Sequence, residues 1–137
     1  MIKQLRKDKK MKSLLTIPLS IYRTKLKVFF GSVKDCCKAM KKDGVPDSYT
    51  EEWSKHASYY DGMYYEDDEH DYRLLWLKKV PVTVDDYGSL VHELSHAVFH
   101  ILDDKGLKHT DESDEAYAYL IGYLYSEIDV YLARRQK

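Results

Sequence analysis

The sequence predicts a small α+β domain in which a β-hairpin leads into a long amphipathic helix, and a second helix follows. Three observations support this fold class. Apolar residues recur at helical spacing from Leu90 to Ile101. Upstream, aromatic residues and leucines flank an acidic turn within residues 59–77, as in a hairpin. Downstream, residues 116–125 carry no charge and suit a partly buried helix.

The N-terminal part of the chain predicts a basic arm followed by one or two strands and a helix. Residues 1–12 hold six basic residues, and we interpret them as a flexible arm ahead of a single domain over residues 13–137. Segments Ile17 to Tyr22 and Lys25 to Phe30 have the composition of strands. Ser32 can cap a helix that runs through Met40 and ends at Gly44 and Pro46, whereas residues 47–56 give too weak a pattern to assign.

The central segment predicts a hairpin that delivers the chain into the long helix. Its first strand is aromatic, from Tyr59 to Tyr65, its turn is the acidic stretch Glu66 to Asp71, and its second strand is Tyr72 to Leu77. Thr83 can cap a helix from about Val84 to Asp104, which Gly106 closes.

The long helix carries two histidines and a glutamate in the pattern His-Glu-x-x-His. His92 and His96 are four residues apart and share one helix face, so both can reach one zinc ion at Zn–N distances of about 2 Å. Glu93 lies about 100° round the helix and can act as general base on a metal-bound water. The apolar stripe on the opposite side consists of Leu90, Val91, Leu94, Ala97, Val98 and Ile101. The alternative is a solvated histidine face without metal.

A third zinc ligand is expected in the acidic run from Asp111 to Glu115, which opens the next helical segment. Eighteen residues separate His96 from Glu115, and this spacing resembles the gluzincin clan of zinc metallopeptidases, to which thermolysin and the aminopeptidases belong. The similarity spans Leu90 to Tyr119 and is greatest to very small members predicted in phages and bacteria. It implies that His92, His96 and Glu115 bind zinc and that Glu93 polarises the attacking water. Alternatively, the acidic residues only favour the positive end of the helix dipole.

This chain differs from the larger gluzincins in two ways. Little chain follows Glu115, so we expect the cleft to be built from the hairpin and the two helices. Tyr119 stands where thermolysin-like enzymes place an aspartate, and either Tyr119 or His109 is a candidate donor to the transition state. Gly122, a costly residue inside a helix, suggests that the histidine helix packs closely there.

Three functions are therefore compatible with the sequence. The favoured one is zinc-dependent hydrolysis of a peptide or protein substrate with Glu93 as base. The second is a non-catalytic zinc-binding protein with a structural or virion-associated role. The third is an interaction module that uses the basic arm, with the histidine motif incidental.

Composition excludes several other classes. The formal net charge of −1 argues against bulk attraction to nucleic acid, and no segment approaches the roughly 20 apolar residues of a membrane span. Cys36 and Cys37 are adjacent, a spacing that rarely satisfies disulfide geometry. We therefore expect reduced thiols and a cytoplasmic protein.

Overall fold

The chain forms two β-hairpins, each followed by two helices. The computed structural model describes residues 10–135, so residues 1–9 of the predicted arm lie outside the described residues. The first half contains β1 (Leu15–Leu19), a 3-10 turn (Ser20–Tyr22), β2 (Thr24–Phe30), α1 (Val33–Lys42) and α2 (Asp47–Ala57). The second half contains β3 (Gly62–Asp67), β4 (Tyr72–Leu77), α3 (Val84–Asp104) and α4 (Asp114–Arg135).

The four strands form one mixed sheet with the order β1-β2-β4-β3. Each hairpin is antiparallel, whereas β2 and β4 pair in parallel and join the two halves. The edges of the sheet are therefore β1 and β3. This architecture confirms the predicted α+β class and the predicted hairpin.

Helices cover both faces of the sheet, which explains why Leu74, Leu75, Trp76 and Leu77 are all buried. Successive strand side chains point to opposite faces. Trp76 meets Trp53 of α2 edge to face, with ring centroids 5.4 Å apart. On the other face, Tyr64 of β3 stacks on His100 of α3 at 5.6 Å.

Side-chain caps fix the starts of α1 and α3 where the sequence predicts them. The Ser32 hydroxyl accepts a hydrogen bond from the backbone N–H of Asp35. Thr83 forms a capping box with Asp86, whose carboxylate accepts the backbone N–H groups of Val82 and Thr83 at 3.0 Å. These bonds to the ionised carboxylate lower the pKa of Asp86 to about 2.

Two N-terminal features differ from the sequence prediction. Residues Asp47–Ala57 form α2, whose narrow buried face of Thr50, Trp53 and Ala57 gives little periodic signal. Met11 is buried and its sulfur accepts the backbone N–H of Phe30, so the folded part begins inside the predicted arm and not at residue 13.

The cysteines are both free thiols, Cys36 buried and Cys37 half-buried. Burial raises the pKa of each thiol above its ordinary value. No helix within residues 10–135 has the length and apolar character needed to cross a membrane.

Candidate functional site

Helix α3 presents its apolar side to the protein and its histidine side to solvent. It packs against β3, β4 and α4. The buried residues of α3 are Leu90, Leu94, Ala97, Val98, Ile101 and Leu102. His92 and His96 are exposed, as predicted, whereas Val91 is partly exposed and belongs less to the apolar stripe than expected.

The two imidazoles lie close together. Their Nε2 atoms are 3.2 Å apart, and the ring centroids are separated by 4.7 Å. Two nitrogen ligands of one tetrahedral zinc ion, each at about 2.0–2.1 Å, stand about 3.3–3.4 Å apart. The pair is thus spaced to hold one ion, although a hydrogen bond between two neutral imidazoles would have a similar length.

Glu93 lies beside this pair in a more enclosed position. Its Oε2 atom is 3.9 Å from His92 Nε2, and its side chain is 14% exposed, against 68% for His92. Both residues line a groove of about 460 Å³ between the start of β3 and the N-terminal half of α3. The other residues that line it are Tyr60, Asp61, Gly62, Leu77, Asp85, Gly88 and Ser89.

Gly62, the first residue of β3, lines this groove, and β3 is an edge of the sheet. Its inner side pairs with β4, so the backbone groups on its outer side have no strand partner among residues 10–135. Gly62 allows β3 to begin there, because a Cβ at this position would lie 2.4 Å from Leu77 Cδ2 and 3.1 Å from the Trp76 carbonyl oxygen. The groove therefore combines candidate chemistry with an open strand edge.

Glu115 does not join the imidazoles in this structure. Tyr117 is the residue near the start of α4 that contacts α3, through Phe99, and Glu115 lies about 200° round the helix from it. Glu115 is exposed, as are Ala118 and Gly122. The candidate ligand atoms of His92, His96 and Glu115 do not all come within 4.8 Å of one another.

The close packing expected at Gly122 is wrong. A Cβ at this position would meet no atom within 4 Å, because this side of α4 faces solvent. Tyr119 is exposed in a separate groove with Ile21 and Tyr22. His109 bonds to Asp114 at 3.0 Å and stacks on Phe99.

A polar cluster around the buried Arg73 links β3, β4 and the end of α3, and sequence reasoning missed it. Arg73 Nη1 lies 2.7 Å from Glu66 Oε2 and 2.9 Å from Asp104 Oδ2, while His100 Nδ1 lies 2.9 Å from Glu66 Oε1. Burial and the neighbouring Asp104 raise the pKa of Glu66 to about 7. The available signal was Arg73 itself, a single charge within an otherwise apolar strand.

Within residues 10–135, this cluster also contains the one trio of possible metal-ligand groups within 4.8 Å of one another: Glu66, Asp68 and Asp104. Arg73 already forms ion pairs with two of these carboxylates, Glu66 and Asp104. The guanidinium thus supplies the positive charge that a metal ion would otherwise bring.

Comparison of the chain with protein-family models, curated proteins and solved structures finds no match.

Proposed function

We propose that this protein is a zinc-dependent peptidase in which His92 and His96 hold the metal and Glu93 is the general base. One observation carries the proposal. Two imidazole nitrogens lie 3.2 Å apart on an exposed helix face, with a carboxylate 3.9 Å from one of them and a groove alongside. This donor set suits zinc, which binds imidazole nitrogen at tetrahedral geometry.

The chemistry divides between metal and protein. A bound zinc ion would supply Lewis acidity and a water of lowered pKa. Glu93 would accept a proton from the attacking water and return it to the leaving amine. Its half-buried position beside His92 supports this role, because an enclosed carboxylate is less solvated and is held near the reacting atoms.

Glu115 is the proposed third ligand on the resemblance to gluzincins. Since Glu115 is exposed and its carboxylate is not within 4.8 Å of both imidazoles in this structure, metal binding requires Glu115 to move toward them. The N-terminal segment of α4 is held by Ser113 and Thr110, which exchange local hydrogen bonds and do not involve Glu115.

The substrate is proposed to bind as an extended strand along the outer edge of β3. Main-chain hydrogen bonds to an unpaired edge give affinity without demanding a particular sequence. The start of β3 lies in the same groove as His92 and Glu93, so a strand added there would pass the candidate catalytic residues.

Zinc content tests the metal site. Protein purified without added zinc is expected to hold about one ion per chain, since three ligands and water make a catalytic zinc site. His92→Ala with His96→Ala should abolish loading, and Glu115→Ala should weaken it. His100→Ala is the control, because His100 lies one helical turn beyond His96 and bonds to Glu66 of β3 instead. Metal retained in the double variant would refute the assignment.

Peptide-library cleavage tests the activity. Glu93→Gln should keep zinc but lose at least about a hundredfold in rate, because the amide cannot accept the proton. Glu51→Gln, at an exposed position on α2, is the matched control and should cleave as wild type does. Equal cleavage by Glu93→Gln and wild type would show that Glu93 is not the base. Zinc binding without cleavage by any variant would favour the non-catalytic alternative.

A further inference from the structure

A second cavity, of about 380 Å³, lies on the face of the sheet that α2 covers, away from α3. Tyr72 of β4 lines it and points to the same face as Trp76, which packs on Trp53 of α2. The cavity is bounded by β2, by the second hairpin and by the segment between α1 and α2. It shares no lining residue with the groove beside His92, and its volume is within the range of small-molecule sites.

Two lysines of β2 line this cavity. The Lys27 side chain is only 9% exposed, and its ammonium donates to Thr16 Oγ1 at 2.9 Å and to Asp43 Oδ1 at 3.3 Å. An ammonium has three N–H donors, so one is left for a ligand. Lys25 lies two residues earlier on the same face of β2, is exposed, and forms no ion pair with another residue of the described part of the chain.

The Tyr72 hydroxyl is a further donor without a partner. It is buried, and no atom among residues 10–135 forms a hydrogen bond with it. Burial and the neighbouring Asp43 carboxylate raise the pKa of Tyr72 above its ordinary value, so the hydroxyl keeps its proton. Because Asp43 also pairs with Lys27, the spare ammonium donor and the hydroxyl are close to the same carboxylate. A buried hydroxyl of this kind favours a ligand that supplies an acceptor.

Aromatic and apolar side chains form much of the remaining wall. Tyr49 and Tyr65 line the cavity, together with Met40 and Val45. Tyr49 is held in position, since its hydroxyl bonds to His70 Nδ1 at 2.9 Å and the two rings meet edge to face. This surface suits a flat apolar body, which would bury against the rings.

The three carboxylates that line the cavity already have protein partners. Asp43 pairs with the buried lysine, Asp67 Oδ2 lies 2.7 Å from His70 Nδ1, and Asp71 Oδ1 accepts from the Thr24 hydroxyl at 2.9 Å. The unused polar groups are thus donors and a cation. A dianion such as phosphate would be repelled by these carboxylates more strongly than a ligand with a single negative charge.

We propose that this cavity binds a small aromatic carboxylic acid, whose carboxylate accepts hydrogen bonds from Lys27 and Tyr72 and whose ring packs against Tyr49 and Tyr65. Lys25 adds a second positive charge near the carboxylate. This binding site goes beyond the proposed peptidase function and does not depend on it, because the two sites share no residue.

The test is a ¹H–¹⁵N chemical-shift titration with 2-naphthoate as the probe. It should bind with a Kd of about 1 mM or below, and the largest shifts should fall on cavity residues such as Gly44 and Tyr65. The neutral 2-naphthamide has nearly the same shape and should bind at least about tenfold more weakly, because charge-assisted hydrogen bonds are lost. Inorganic phosphate and 2-naphthylmethylamine should not bind there. No binding of 2-naphthoate, shifts centred elsewhere, or equal binding of the amide, the amine or phosphate would overturn the inference.

Two variants test the donors. Tyr72→Phe keeps the ring and should weaken 2-naphthoate binding about five- to tenfold, while stability to urea stays equal or rises because an unpartnered hydroxyl is removed. Lys25→Met, at an exposed position, should weaken binding about two- to fivefold. The matched controls are Tyr59→Phe and Lys55→Met, which are exposed outside the cavity and should bind as wild type does. Wild-type affinity in both Tyr72→Phe and Lys25→Met would overturn the inference.

Discussion

Arg73 provides the sharpest test of how this fold is held together. Its side chain is 6% exposed, and its guanidinium donates to Thr24, Tyr64, Glu66 and Asp104. Arg73→Met would keep the apolar bulk but leave two adjacent carboxylates without their cation. Breaking a buried pair in this way costs about 3–5 kcal/mol. Because Glu66 and Asp104 are 18% and 33% exposed, water can partly replace the arginine, and we expect about 3 kcal/mol.

Urea unfolding followed by tryptophan fluorescence measures this loss. The difference from wild type should shrink as pH falls below about 7, because Glu66 then takes up a proton, and Glu66→Gln added to Arg73→Met should restore part of the stability at pH 7. Lys78→Met is the control, because its ion pair with Asp61 is exposed and worth less than about 1 kcal/mol. If Arg73→Met lowers the free energy of unfolding by less than about 1 kcal/mol at pH 7, the reasoning is refuted.

Two further predictions concern buried polar groups. Because the pKa of Glu66 rises from 4.5 to about 7 on folding, its contribution to stability should be fully present below pH 4.5 and lost as pH rises through 7. Glu66→Gln should flatten that part of a pH series of urea unfolding curves, and an unchanged slope would contradict the assignment. Trp76→Phe should cost about 1–2 kcal/mol more than Trp53→Phe. Trp76 Nε1 donates to the Gly31 carbonyl at 2.8 Å, whereas the buried Trp53 Nε1 has no partner among residues 10–135, and equal losses in thermal unfolding would argue against this difference.

Features that depend on near neighbours in the chain were predictable from the sequence. The caps at Ser32 and Thr83 and the span of α3 are local, and the structure confirms them. The hairpin turn lies within the predicted acidic stretch, but Glu66 and Asp67 still belong to β3. The sheet order was not predictable, because the parallel pairing of β2 with β4 brings together Thr24 and Asp71, which are 47 residues apart. Helix α2 was missed because its stability comes from packing Trp53 on the sheet and not from its own periodicity.

The same distinction between local and long-range geometry applies to the candidate site. His92 and His96 meet because four residues make about one helical turn, and that geometry is independent of the rest of the fold. The placement of Glu115 depends on how α4 is rotated after the loop, which spacing alone does not determine. The face of α4 that carries Gly122 was expected against α3 and is open to solvent instead.

The pairing of two hairpins through one parallel ladder has a consequence for how the chain can be divided. Each half, a hairpin with its two helices, supplies cover for only one face of the sheet, and Trp53 of the first half packs on Trp76 of the second. A fragment that ends after α2 would leave the other face of its two strands bare, and an isolated two-stranded hairpin is marginally stable in water. The halves are thus not autonomous units, and unfolding should be a single cooperative transition in which both are lost together.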